Sequence, residues 1–589
     1  MRLVADIETN GLLRQKNPII HCLVTQDMDT DEIIRYDDTG AYPPIKQGLT
    51  NLMVADEIWG HNWIGFDQSF IREIYPFYQP TGKTYDTLIL SRLFFTDLLS
   101  RDFSVGNKSQ LPIYLYGRHS LMAWGYRNKC YKSEFGKSLD NDWSTYSPEM
   151  LEYCVQDVLV SRTLVEKFYP KLEQYKDCID TEHKIAEIMS WQESCGWPFD
   201  KQAAQQLERK LSKELDSISN EMRQQHPFMN GGLFTPKRDN KTRGYVAGAE
   251  MCRLKEFNPS SRDHIEFVFD WFEGHKLQEK TDKGKIKVDD KILREIGTPK
   301  ALKFARILEL QKHLGQLSEG KNAWLKLETN GRLHHSCILN TNTGRMAHLR
   351  INAAQVPSAP EYRSLFGPGE GRVQVAADAS GLELRVLGAL LFPFDQGKFA
   401  KEVVEGDIHT KLANIYNTSR STGKSCTYCM IYGGGDVKLG LTAGASKDDA
   451  ASKGKDIKQR IMGDLDGFQS LSSAITKEAK TGTLKGLDGR PIRIQGKNHA
   501  SLNYKIQSFG AVICKLWFIR VNELLKEAEI DYYPLGFIHD EIQLSVHPDH
   551  AEQAAFCLVA AMKDVEQQIH FKCKLDAESV IGNNWAECH

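Results

Sequence analysis

The sequence predicts a mixed α/β (α+β) chain of two or three domains. Three observations carry this: the length, short apolar runs that end in acids, and long stretches of helical period. At 589 residues and 41% hydrophobic content, the chain is too long for one compact core and apolar enough to fold throughout. Residues 2–9 read as a short buried strand stopped by the turn signal Asn10-Gly11, and strand alternation puts Asp6 and Glu8 on one face. Val373, Val375 and Ala377 alternate as a strand that delivers Asp378 at its end. Positions 535–538 and 542–546 flank His539-Asp540-Glu541, a hairpin with acids at its tip. Helical period governs 147–169 through Met150, Leu151, Val155, Val158, Leu159, Leu164 and Val165, with Ser147 as N-cap, then Pro148 and Glu149 in the first turn. It returns over 180–225 through Ile185, Ile188, Met189, Leu207, Leu211, Leu215 and Ile218. Between 226 and 255 it breaks at Gly231-Gly232 and Lys237-Arg238-Asp239-Asn240-Lys241, which reads as an exposed basic loop.

Lys plus Arg number 75 against 77 acids, so overall charge neither supports nor excludes nucleic-acid binding. Thirteen cysteines without framework spacing fit a reducing compartment, and the single CxxC, Cys426 and Cys429, lacks a second ligand pair for zinc. No apolar run reaches the roughly 20 residues that cross a bilayer, so a soluble intracellular chain is expected, with no membrane partner.

Template-directed nucleotidyl transfer needs two divalent cations, one to activate the attacking hydroxyl and one to neutralise the leaving group. Asp378 at a strand end and Asp540 at a hairpin tip are candidates for that cage. Residues four apart drift only about 40° around a helix, so Arg420, Lys424, Tyr428 and Tyr432 form one stripe. The two cations can grip a triphosphate, and the rings can stack on a base. Thr422-Gly423-Lys424-Ser425 is not the tail of a phosphate-binding loop, because that pattern needs glycine where Thr418 stands.

The residues around these positions resemble one family. Asp378-Ala379-Ser380-Gly381-Leu382-Glu383-Leu384-Arg385 matches the DxSxxELR signature of the first palm motif in the family A, polymerase I-like DNA polymerases, and Ile538-His539-Asp540-Glu541 resembles their third motif. The stretch from Arg420 to Gly433 is similar to their nucleotide-binding fingers helix. The resemblance implies a right-hand polymerase with thumb, palm and fingers, and adds Ala379 to Asp378 and Asp540 among the metal ligands. It implies nucleotide contacts at His409, Arg420, Lys424, Tyr428 and Glu383, with Glu383 where a bulky side chain blocks a ribose 2′-hydroxyl. It implies DNA contacts at Arg345, Gln355, Tyr432, Asn503, Gln507 and His539; Asn503 and Gln507, four apart on a helix, look like readers of minor-groove acceptors. His61-Asn62-Trp63-Ile64-Gly65-Phe66-Asp67 and Tyr153-Cys154-Val155-Gln156-Asp157 resemble the second and third motifs of tyrosine-type DEDD exonucleases, with Asp6 and Glu8 supplying the first. That implies an RNase H-like 3′→5′ exonuclease domain in which Asp6, Glu8, Asp67, Tyr153 and Asp157 are catalytic, Asp6, Glu8 and Asp157 hold metal, and Asp86 supports the fold.

The order of the two activities resembles the short-tailed T-seven-type phage replicative polymerases, and strings such as Gly486 to Arg490, Ile513 to Trp517 and Asn584 to His589 agree as well. The implied division is 1–180 exonuclease, 181–345 thumb with a short basic loop near 226–255, and 346–589 palm and fingers, the fingers over about 400–525. Expected cofactors are two Mg²⁺ per site, with Mn²⁺ as a substitute, and expected partners are primer–template DNA, dNTPs, a phage helicase-primase and a single-stranded DNA-binding protein in the cytoplasm of an infected bacterium. Host thioredoxin use in that group rests on a long thumb insertion, and the short stretch here speaks against it. Two other readings are a single-subunit RNA polymerase, which Glu383 disfavours, and a repair exonuclease with a DNA-binding polymerase-like half, which the intact Arg420, Lys424 and Tyr428 stripe disfavours.

Overall fold

The computed structural model describes residues 1–106, 110–130, 143–274, 277, 279–281, 284–494 and 500–589. The chain divides into two compact units, one formed by Met1–Trp197, His335–Ser358 and Gly367–His589, the other by Pro198–His334 and Ala359–Phe366.

The larger unit begins with a five-stranded sheet. Its strands lie in the order Ile33–Asp37, Ile20–Asp27, Arg2–Thr9, Glu57–Gly60, Lys83–Asp86; the first three are antiparallel and the last two run parallel to Arg2–Thr9. Arg2–Thr9 is therefore central, and Leu3 through Thr9 are all buried. The helix Pro148–Phe168 starts where predicted: Ser147 accepts from the Met150 amide, Pro148 occupies the first turn and Glu149 complements the helix dipole. Its Leu151, Cys154, Val155 and Val158 pack with Val4, Cys22 and Trp59 in one core, which lays the helix across the strand that carries Asp6 and Glu8.

A second sheet in the same unit has four antiparallel strands in the order Tyr532–Ile538, Glu541–Val546, Val373–Ala379, Ala577–Gly582. The hairpin expected around His539-Asp540 is present, with Ile538 paired to Glu541 so that only His539 and Asp540 form the turn. His539 takes φ 59°, the left-handed region that a two-residue turn uses. Behind the sheet runs the helix Ser501–Glu527, about 40 Å long at 1.5 Å per residue. Ile506, Ile513, Trp517 and Val521 join Val375, Ala377, Phe537 and Leu544 in the core beneath the sheet. Cys426 and Cys429, the CxxC pair, are buried in that core too.

In the smaller unit the helices Lys201–Gln225 and Pro299–Leu314 are tied by Arg306 to Glu214 at 2.7 Å and 2.9 Å. The stretch expected to be loop over 226–255 differs in part: Phe228–Phe234 and Met251–Glu256 pair as an antiparallel ribbon. Arg253 stacks over the Phe234 ring at 4.7 Å and Tyr245 meets it edge-on, so aromatic contacts rather than a buried face hold the strands. Lys237, Arg238, Lys241 and Arg243 lie exposed in the connection between them. Among the described residues, no helix is long and apolar enough to cross a membrane.

Candidate functional site

Sheet register assembles the first acidic group. Asp378 stands opposite Glu541 on one neighbouring strand and Glu578 on the other. The Ala379 amide donates to the Asp540 carbonyl at 3.0 Å, so the hairpin turn is fastened beside the end of the Val373–Ala379 strand. Loss of water, then the charge of Asp540, pushes the Asp378 carboxyl up to about 7. Burial, then Glu383, pushes Asp540 up to about 6. Partly buried like charges resist joint ionisation, and a bound divalent cation would relieve the repulsion. Glu541 is turned inward, where the Trp585 indole donates to it at 2.6 Å; this gives the Asn584 to His589 string a structural task.

The stripe on Arg420–Ile431 faces this group. Ser419 caps the helix by accepting from the Thr422 amide. Tyr428 and Tyr432 stack at 6.3 Å between centroids, and His409 sits 6.5 Å from Tyr428. The Tyr432 hydroxyl donates to Glu383 at 2.7 Å, and Arg345 reaches the same carboxylate oxygen at 3.4 Å. Arg345, Glu383, Tyr432 and the Asp540 turn are thus one connected cluster. His409 is held against the stripe because Gly423 lets the Ile408–Tyr416 helix approach: a Cβ there would meet Ala413 Cα at 2.7 Å. Burial, then the Lys424 charge, pulls the His409 imidazole below its usual value, and its buried Nδ1 has no hydrogen-bond partner. Arg420 and Lys424 are exposed, and Arg420 pairs with Asp407 at 2.9 Å. Asn503 and Gln507 touch each other at 2.7 Å on the helix Ser501–Glu527. Gln355 lies on the short turn Ala353–Gln355, which packs against the strand Tyr532–Ile538.

The second acidic group is built on the first sheet. Asp6 and Glu8 are both buried on the central strand, and their oxygens lie within 4.8 Å of each other and of the Cys154 sulfur. The Ile7 amide donates to Asp67 at 3.2 Å, and burial, then the Asp6 charge, pushes the Asp67 carboxyl well above the usual range. Tyr153 and Asp157 are buried on the Pro148–Phe168 helix, flanking Cys154, and the Trp143 ring meets Tyr153 edge-on at 6.1 Å. Asp86 accepts from the Asn62, Ile64 and Leu88 amides, which fixes the loop leading to Asp67 and accounts for it as a supporting residue. Sequence reading missed Cys154, one helical turn before Asp157, and Glu541, whose place opposite Asp378 only the register reveals. It also missed Asp407, the partner of Arg420.

Acids gathered at the strand ends of an antiparallel sheet, beside a cationic helix, are the parts that a nucleotide-adding enzyme requires. Residues 241–587 match the model for DNA polymerase family A, and the chain belongs to that family. It is 31% identical to the DNA-directed DNA polymerase of Escherichia phage T7 and 31% identical to that of Enterobacteria phage T3, with both chains covered in full in each case. It is 25% identical to DNA polymerase I of Aquifex aeolicus, over 92% of this chain and 89% of that one. Among solved structures, the POL domain of Pol1 from M. smegmatis, in complex with DNA primer-template and dNTP, superposes with a TM-score of 0.72 at 15% identity, covering 100% of this chain and 96% of that one; this likeness concerns the fold. The chain is a DNA-directed DNA polymerase of mixed α/β architecture.

Proposed function

We propose that this polymerase replicates phage DNA and proofreads its product, each activity working through a pair of Mg²⁺ ions. The observation that carries the synthetic half is the fastening of Asp540 beside Asp378, where burial and neighbouring acids push both carboxyls up. Asp378, Asp540 and Ala379 would hold the cations, which supply a more acidic primer 3′-hydroxyl and a neutralised leaving group. Arg420, Lys424 and His409 bind the triphosphate, and Tyr428 covers the base. Glu383, held by Tyr432 and Arg345, fills the space a ribose 2′-hydroxyl would need. Asn503 and Gln507 offer amide donors to the minor groove, and Arg345, Gln355, Tyr432 and His539 contact primer–template.

For the proofreading half, Asp6, Glu8 and Asp157 would hold the metal pair, Asp67 completes the carboxylate set, and the Tyr153 hydroxyl orients the attacking water. Oxygen ligands of this kind favour Mg²⁺, with Mn²⁺ able to replace it. We assign 1–180 to the exonuclease, 181–345 to the thumb and 346–589 to palm and fingers, and place the protein in the infected bacterial cytoplasm with a phage helicase-primase and a single-stranded DNA-binding protein as partners. Lys237, Arg238, Lys241 and Arg243 stand in for a thioredoxin-recruiting insertion by holding duplex phosphates directly. Replacing Asp6 and Glu8 together by alanine tests the division of labour on a mismatched primer terminus. Excision should vanish and extension of a matched primer should persist; retained excision rejects the assignment.

A further inference from the structure

Outside both acidic groups, the larger unit carries a third cluster of ligating side chains. The strands Ser336–Ile338 and Ala347–Leu349 pair antiparallel with Cys337 directly opposite His348. His335, two positions before Cys337, falls on the same side by strand alternation. One ligating atom from each of the three lies within 4.8 Å of the other two, and Cys337 Sγ is 3.3 Å from His348 Nδ1. His335 is 3% exposed and His348 8%, and His348 Nε2 is buried with no hydrogen-bond partner. Buried imidazoles in a protein interior are ordinarily paired at both nitrogens or spend one lone pair on a metal.

A neighbouring side chain is placed to orient the first ligand. Gln192, on the helix Lys176–Cys195, sets its amide 3.1 Å from His335 Nε2, and its own Oε1 is buried with no hydrogen-bond partner. Turned over, the amide accepts from Nε2–H of His335, as the outer partners of metal-bound histidines do.

We propose that His335, Cys337 and His348 bind one divalent transition-metal ion of the zinc class, apart from the carboxylate sites. A thiolate with two imidazoles selects a borderline-soft ion, whereas Mg²⁺ takes oxygen ligands. On binding, the Cys337 S–H bond is exchanged for a sulfur–metal bond and the proton leaves to solvent; a water completes four-coordination. The ion clamps two short strands whose position bears on synthesis. His348 packs edge-on against His539 at 5.7 Å, next to Asp540, and Arg345 lies just ahead of the Ala347–Leu349 strand.

Full-length reduced protein titrated with Co²⁺ under excess Mg²⁺ tests this. One equivalent should bind with a near-ultraviolet thiolate-to-cobalt band and tetrahedral visible bands, and Zn²⁺ should displace it. Cys337→Ser should abolish the thiolate band and weaken binding by about 10- to 100-fold, and His335→Gln should weaken it as well. Independently of any variant, Zn²⁺ should protect Cys337 of the parent protein from alkylation while the exposed Cys252 reacts at its usual rate. A thiolate band that survives in Cys337→Ser, or Cys337 alkylation unslowed by Zn²⁺, overturns the proposal.

Discussion

At the scale of single residues, Asp378 and Asp540 are the acids proposed to hold the cations for synthesis. Their carboxyls sit at about 7 and about 6, raised by burial and then by neighbouring acids. A carboxyl raised in the folded state keeps a proton that the unfolded chain has already released. Without divalent ions, stability therefore falls as pH climbs from the ordinary carboxylate value towards about 7, and levels off above it. Cations must displace those protons, so their hold strengthens over the same window. The rise in Tm produced by Mg²⁺ over a chelator should be larger at about pH 8 than at about pH 5; an equal rise at both would contradict the shared cation site. These two acids were legible in the sequence because strand alternation and a two-residue turn place them without tertiary knowledge. Asp407, Glu541 and Cys154 were not, since their roles depend on which distant backbone lies opposite them.

At the scale of elements, a buried ion network joins three segments far apart in the chain. Glu182, on Lys176–Cys195, meets Arg490 at 2.7 Å and Lys515 at 2.6 Å, while Asp488 takes the other side of Arg490 at 2.6 Å. Lys515 also donates to the Leu339 carbonyl at 2.8 Å, just after the strand Ser336–Ile338. Glu182→Ala leaves two buried cations facing one carboxylate and should cost about 3–5 kcal/mol, seen as a large fall in the denaturation midpoint. Lys184→Ala, on the same helix as Glu182, breaks only the exposed pair with Glu523 and should stay within about 1 kcal/mol. A mild loss at Glu182 would show that the network adds little to stability. The strings Gly486 to Arg490 and Ile513 to Trp517 stood out in the sequence before their purpose was visible, and Arg490 and Lys515 supply it. Helices were readable wherever one face is apolar, as in Pro148–Phe168. The ribbon Phe228–Phe234 with Met251–Glu256 was not, because most of its residues are exposed and no core imposes alternation on it.

At the scale of the whole molecule, the near-neutral charge conceals a local basic segment, Lys237 to Arg243, on the smaller unit. If those side chains hold duplex phosphates, product length per binding event should shorten steeply as salt rises, and replacing Lys237, Arg238, Lys241 and Arg243 by serine should flatten that dependence; product length indifferent to salt would refute the contact. The two acidic groups stand on separate sheets within the larger unit, so under the proposed function the loss of one activity need not disturb the other. Under the proposed function, Asp378 and Asp540 act on the same cations as one device. Single-turnover primer extension with Asp378→Asn, Asp540→Asn and the double variant measures it directly. Each single change should slow extension by at least about a thousandfold, and the double should be scarcely slower than either. Losses that multiply, or a single variant that extends primers at the parent rate, would show that the two aspartates work apart.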